Sequence, residues 1–425
     1  MTDDDSHVWG TVGASLKKSA HSMQMIGIGC LMIGGMKTLS LIGLVLFSLH
    51  SMSSPVSAET EGLTLEPIRV GNPEFDSSGH GCQLTGTGSA DAQYWSPKEH
   101  DVADSEWFDG EVAALGSRGD CAVSLNLSGE AIASGATYRV GFGIARWGPD
   151  TSKILVSIAD EDERLLATSA AIEAGLWTRQ FVDLEIPSNI KVSGPCTLVF
   201  RTIENKNAAR ESAALIDKVS LARISADDPG FQSIFNGKNL DGWIGNTEGY
   251  GVEGGAIRTF PKRSGGNLYT SGTYDDFVFR FAFKVPPGAN NGIAVRSPAT
   301  GDAAYQGMEL QVLDNSHPKY AGLKPWQVHG SVYGIAPALR GYQAPPGSWN
   351  LQEIRAEGRR IRVILNGAVI SDVDLDEATR EGTLSGRKHP GLARDSGHLG
   401  FCGHGDLVYF KDLRVRPISL PESQP

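Results

Sequence analysis

Alternation of apolar and polar residues with a period of two runs through most of this chain, and stretches with helical spacing are scarce. Successive side chains of a strand point to opposite faces, so this period predicts half-buried strands. In the first half it marks Tyr138–Ile144, Ser152–Ala159, Cys196–Arg201 and Ala214–Ile224, while Ala167–Ala174 has a mildly helical rhythm. In the second half strands are expected near Gly251–Phe260, Phe277–Val285, Gly292–Ser297, Met308–Asp314, Gly330–Tyr333 and Leu351–Glu357. Arg360–Leu365, Val369–Asp374, His398–Cys402 and Val408–Pro417 complete the set. Asn366-Gly367 is the dipeptide favoured where both central residues of a two-residue hairpin need positive φ. Many short antiparallel strands without intervening helices imply an all-β protein of two sandwiches or jelly rolls.

Composition agrees with that reading. Of 425 residues, 52 are Gly and 21 Pro, and 20% are charged, which suits a turn-rich β protein better than a helical bundle. A net charge of -11 argues against nucleic acid as a partner and offers no basic face to a membrane. The polar, turn-rich segment Ser225–Gly230 divides the chain into parts of 59–226 and 227–425.

The N-terminus has a different pattern. Met36-Lys37 is followed by the apolar run Leu39–Leu49 and then by small residues ending in Val56-Ser57-Ala58. This order predicts a secretory signal cut after Ala58, a secreted or periplasmic location, and no stable membrane association after cleavage. Asp3, Asp4 and Asp5 do not suit a signal's start, so Met36 is the expected initiator. The alternative is an uncleaved anchor over Met23–Leu49, interrupted by Lys37. Cys30 leaves with the signal; Cys82, Cys121 and Cys196 allow one disulfide and one free thiol in an oxidising compartment. Cys402 lies in an apolar run and reads as a small buried hydrophobe.

Two resemblances extend the picture. Val70–Phe75 and Leu215–Leu221 resemble the edges of galactose-binding-like jelly rolls, which implies a carbohydrate-binding or spacer module for the first half. Its Trp95, Trp107, Trp147 and Trp177 are candidates either for sugar stacking or for core packing. The second half carries several motifs in order: Ile234–Trp243, Gly288–Arg296, Met308–Asp314, Lys324–Gln327, Gly330–Gly334, Gly347–Asn350, Gly397–Gly405 and Val408–Leu413. Together they resemble the 3-keto-disaccharide hydrolase domain family over Phe231–Ile418. The resemblance implies a concanavalin-A-like jelly roll acting on a carbohydrate substrate, a 3-keto-glycoside.

The residues also speak for themselves. In a strand, Glu309 and Gln311 share one face while Met308, Leu310 and Val312 face the core. Two polar side chains in an apolar strand are costly if buried without partners, so that face is the expected cleft. Asp314 would join them if a bulge shifts the alternation. The layout resembles the acidic strand of family-16 glycoside hydrolases, except that Gln311 and Asp314 replace two of the acids. A retaining β-glucanase needs two carboxyls about 5 Å apart, so this departure disfavours that chemistry. An inter-strand salt bridge between Glu309 and Arg296 is the structural alternative.

A ketone at C3 acidifies the C2 proton, which allows elimination of the C1 substituent followed by addition of water. That route needs a base, an electrophile for the enolate oxygen and an acid for the leaving group. His404, between two glycines, is the leading base. Arg296 or Tyr333 would stabilise the enolate, and Glu309 would serve as a second acid/base or as a metal ligand. A divalent cation would also do the electrophile's work, though no compact ligand motif is present. Gln311, Asp314, Trp326, His329 and Asn290 are the candidate substrate-binding residues. His398, Trp243 and Trp349 read as structural, and Asn290 with Asn291 as turn-shaping. A lectin-like cleft that binds sugar without chemistry is the competing function.

Overall fold

The computed structural model describes residues 63–71, 73–75, 82–85, 93–95, 111–128, 132–209, 212–226, 229–261 and 266–418. The expected signal segment, its alternative as an anchor, Cys30 and Trp107 lie outside these residues. Among the described residues no helix is long and apolar enough to cross a membrane.

The strands of the described residues form four antiparallel sheets. Two six-stranded sheets come from residues before 227. In one, Ala213–Ala226 runs between Thr137–Trp147 and Val112–Gly116; in the other, Thr197–Thr202 runs between Ala122–Asn126 and Ser152–Ala159. Tyr138, Phe142, Ile144, Val156, Leu198, Phe200, Ile216 and Leu221 fill the layer between them. The mildly helical Ala167–Ala174 instead supplies two short strands, Leu165–Thr168 and Ile172–Ala174, both paired with Ser152–Ala159. Pairing with a formed neighbour outweighs the helical preference of the alanines, since tertiary context overrides intrinsic propensity. Cys121 and Cys196 are both buried in this core, with Cys196 a free thiol, and the Cys82 side chain lies outside the described residues.

An eight-stranded and a five-stranded sheet come from the residues after 229. The Phe277–Lys284 strand shows why they pack: Phe277, Phe279, Phe281 and Phe283 recur every second residue and all lie in the core. Each such ring contributes about 2–3 kcal/mol when buried. Phe401 of the smaller sheet stacks on Phe410 of the larger one, with ring centroids 4.0 Å apart. The expected strand Gly251–Phe260 is a hairpin, Tyr250–Glu253 with Ala256–Thr259, turned by Gly254 and Gly255 at φ of 55° and 75°. Asn366 and Gly367 also have positive φ, 51° and 86°, and turn Arg360–Leu365 into Ala368–Asp374 as expected. Gly330–Tyr333 forms no regular strand, and Val332 makes isolated bridges to Leu310 and Ala336.

The five-stranded sheet positions the site. Its order is Trp243–Gly245, Asn267–Thr270, His398–Cys402, Asn290–Ser297 and Met308–Leu313. Trp243 is buried and stacks on Phe401, and His398 bonds through Nδ1 with the carbonyl of Thr270 at 2.8 Å, so both are structural.

Candidate active site

The Met308–Leu313 strand ends the sheet path, and its alternation decides what reaches the outer face. Met308, Leu310 and Val312 belong to the core, which leaves Glu309 and Gln311 on the opposite side. Their cross-strand neighbours are small: Ala294 stands opposite Glu309, and Gly292 opposite Gln311. A Cβ on Gly292 would overlap the Glu309 carboxyl group, so this glycine is the space in which Glu309 lies. On the other side, the backbone N–H of Tyr333 donates to the Glu309 carbonyl at 2.9 Å. The bridge between Leu310 and Val332 places Tyr333 opposite Glu309, so their side chains share a face.

His404 follows the His398–Cys402 strand by two residues. Its Nε2 lies 3.3 Å from Glu309 Oε1. Glu309 is only 5% exposed, whereas the His404 side chain is 41% exposed, so a buried carboxyl group holds an accessible imidazole. The hydrogen bond to Glu309 raises the His404 pKa above its ordinary value against the opposing effect of burial; Asp406 and Asp302 add to the rise.

A polar string continues from this pair. Gln311 Nε2 donates to Asn290 Oδ1 at 2.7 Å, and the Asn290 backbone N–H donates to Asp406 Oδ2 at 3.0 Å. Lys319 Nζ is 3.9 Å from the same Asp406 oxygen. Aromatic rings form a wall beside it. Trp326 meets Tyr333 edge to face at 5.2 Å, and Tyr305 does so from another side at 6.3 Å. Gln327 Nε2 donates to the Tyr333 hydroxyl at 3.2 Å, which leaves the phenolic proton for another acceptor.

Glu309, His404, Gln311, Asn290, Tyr333 and Trp326 are thus gathered around one face. Three expected residues are not. Arg296 sits at an irregularity of its strand with φ of 47° and is 1% exposed. Its guanidinium donates to Asp276 Oδ1 at 2.7 Å and to the carbonyls of Asp275 at 2.8 Å and Gly358 at 2.7 Å. It therefore neither pairs with Glu309 nor has a donor turned to the cleft. Asp314 is not brought round by a bulge, because the pairing from Asn290 with Leu313 to Val295 with Met308 is regular. Its carboxylate instead accepts from the Gly288 and Ser316 backbone N–H groups and from the Ser316 hydroxyl. His329 is inside the sandwich, 1% exposed, stacked on Phe283 at 5.0 Å and bonded to Gln352 at 2.9 Å. Burial pulls its pKa down to about 4.

Sequence reasoning passed over Asp406, Lys319, Tyr305 and Gln327. Asp406 lies two residues beyond His404, and Gln327 belongs to a quoted motif, so both were within reach. Lys319 and Tyr305 stand in loop and helix contexts with no periodicity to mark them. Among the described residues no group of three or more His, Cys, Asp or Glu side chains is gathered to hold a metal ion; Glu309 and His404 offer two donors.

Comparison with known proteins adds independent information. Residues 230–416 match the family model of the 3-keto-alpha-glucoside-1,2-lyase-like domain. A curated relative from Bacteroides thetaiotaomicron, named 3-keto-disaccharide hydrolase, is 26% identical over 250 residues, covering 48% of this chain and 83% of the relative. A crystal structure from Parabacteroides distasonis, whose name carries a provisional glycosyl hydrolase assignment, is 27% identical over 44% of this chain and 99% of that one, with a TM-score of 0.40. The laminarinase from Rhodothermus marinus is 11% identical over 45% of this chain and 96% of its own, with a TM-score of 0.30.

Proposed function

We propose that the chain, whose residues 230–416 match the family model of the 3-keto-alpha-glucoside-1,2-lyase-like domain, is an exported enzyme that cleaves 3-keto-glycosides at the Glu309–His404 cleft. The observation that carries this reading is the 3.3 Å contact between a buried carboxyl group and an accessible imidazole on one face of the small sheet. Glu309 accepts from His404 Nε2–H and so fixes the tautomer in which the Nδ1 lone pair is the base, the logic of carboxylate-oriented histidines. Nδ1 takes the C2 proton, the C2–H electron pair forms the enolate, and the Tyr333 hydroxyl donates a hydrogen bond to its oxygen. The enolate re-forms the ketone as the C1–O bond breaks, and the leaving alkoxide takes the proton held on His404 Nδ1. Water then adds to the enone, which makes the net reaction a hydrolysis. Gln311, Asn290 and Asp406 are placed for sugar hydroxyls, with Trp326 as a ring wall.

The acidic strand of a retaining glucanase is not reproduced here, since the neighbouring strand position is Gln311 and Asp314 is engaged with Gly288 and Ser316. The test is to incubate the protein with matched 3-keto and ordinary disaccharides and follow sugar release. Turnover of the keto form alone is expected. Turnover of ordinary glucan, or binding of both without release, contradicts the proposal in favour of a glucanase or a lectin.

A further inference from the structure

The N-terminal sandwich meets the catalytic one through buried charges and hydrogen bonds as well as through the linker. Arg179 lies in the Thr178–Glu185 strand beside Gly141, where a Cβ would come within 2.7 Å of its guanidinium. Only 2% of Arg179 is exposed, and burial lowers its pKa to about 10, so it keeps its charge at neutral pH. It donates to the Lys218 carbonyl at 2.7 Å, to the Ser220 hydroxyl at 2.7 Å and, across the seam, to the Gly341 carbonyl at 3.2 Å. Its guanidinium also lies 4.9 Å from the centre of the Tyr342 ring. Lys218, at a register shift of its strand with φ of 50°, reaches Glu74 at 3.3 Å, and the Tyr342 hydroxyl donates to the same carboxylate at 3.1 Å. Gly341 has φ of 90° and faces the Lys218 stem, which a Cβ would approach to 2.9 Å.

The clasp continues toward the cleft. Next to Tyr342, Gln343 Nε2 donates to the Leu313 carbonyl at 2.8 Å, and its Oε1 accepts from the Asn315 backbone N–H at 3.4 Å. Leu313 ends the strand that carries Glu309 and Gln311. Asn315 opens the loop that carries Lys319 and Trp326, and its Oδ1 accepts from the backbone N–H of His329 at that loop's far end, at 2.9 Å. We infer that the N-terminal sandwich is a fixed brace of the sugar cleft, and that Arg179 is a positioning residue acting through Gly341, Tyr342 and Gln343 on the strand end and loop beside Glu309. A sugar-binding module on a free tether would need no such buried fastening.

The proposal rests on the cleft being the substrate site, so its test has one arm that does not. Calorimetry of the full chain should give a single unfolding transition, and Arg179→Met should split it in two. With a 3-keto disaccharide, Arg179→Met should raise KM roughly 3- to 10-fold with kcat within about twofold, as expected for loop misplacement rather than lost chemistry. Arg179→Lys should restore part of the difference. Gln343→Leu cuts the link beyond the seam and should raise KM while keeping the single transition, which preserves the test if Arg179→Met does not fold. Two independent transitions in the unaltered chain, or wild-type KM in both Arg179→Met and Gln343→Leu, would overturn the inference. A single transition without any turnover of the keto sugar leaves the brace standing and removes the proposed reaction instead.

Discussion

At the scale of the residue, the proposed chemistry turns on what Glu309 does to His404. The carboxyl group raises the imidazole pKa above its ordinary value, so a reaction that uses neutral His404 rises with pH through that raised value. Glu309→Gln removes the charge and keeps the shape. The acidic limb of kcat/KM should then move to lower pH, and the plateau should fall by roughly 100-fold, a common loss for disturbed general-base catalysis. A limb that stays in place would show that His404 is not the titrating group. His329 offers a separate prediction about stability. Its folded pKa is about 4, below the value near 6.5 expected for an unfolded histidine, so the unfolded state binds protons first as pH falls. Its contribution is complete above about pH 6.5 and is lost as pH drops toward 4, by an amount on the order of 3 kcal/mol. Denaturant unfolding at a series of pH values should show this loss, and His329→Gln should flatten that part of the profile.

At the scale of the element, the strand Met308–Leu313 was legible because its alternation is strict: three apolar residues in the core force Glu309 and Gln311 outward. The same rule identifies Gly292 as the partner surface, since its missing side chain is the volume that Glu309 occupies. Gly292→Ala should push the flexible carboxyl end of Glu309 away from His404. Activity should fall about tenfold or more while the thermal midpoint changes little, because a side chain and no backbone must give way. Loss of folding together with activity would show that Gly292 is needed by the sheet itself. Gly251–Phe260 was misread because a Gly-Gly turn inside an alternating run leaves the period of two intact on either side. Ala167–Ala174 was misread because short edge strands take their conformation from the strand they pair with.

At the scale of the whole molecule, the all-β class followed from period, turn chemistry and composition. What could not be read was which polar residues meet. Arg296, inside the Gly288–Arg296 motif, was a candidate enolate stabiliser, yet its irregular backbone carries the guanidinium to Asp276. His329 looked accessible beside Gly330 and is inside the core. Spacing along the chain gives the face of a strand, whereas the path of a loop depends on contacts from distant segments, such as those of Asn315 with Gln343 and His329. The juxtaposition of His404 with Glu309 across 95 positions is therefore a property of the fold rather than of any motif.

The most direct measurement is proton NMR of a 3-keto disaccharide with the enzyme in deuterated water. Proton abstraction by His404 predicts that the C2 proton is replaced by deuterium in recovered substrate or in product, that the leaving sugar is released, and that His404→Ala abolishes both. Release of the sugar with C2–H retained throughout would contradict it, because the bond to C1 would then break without the proton abstraction assigned to His404.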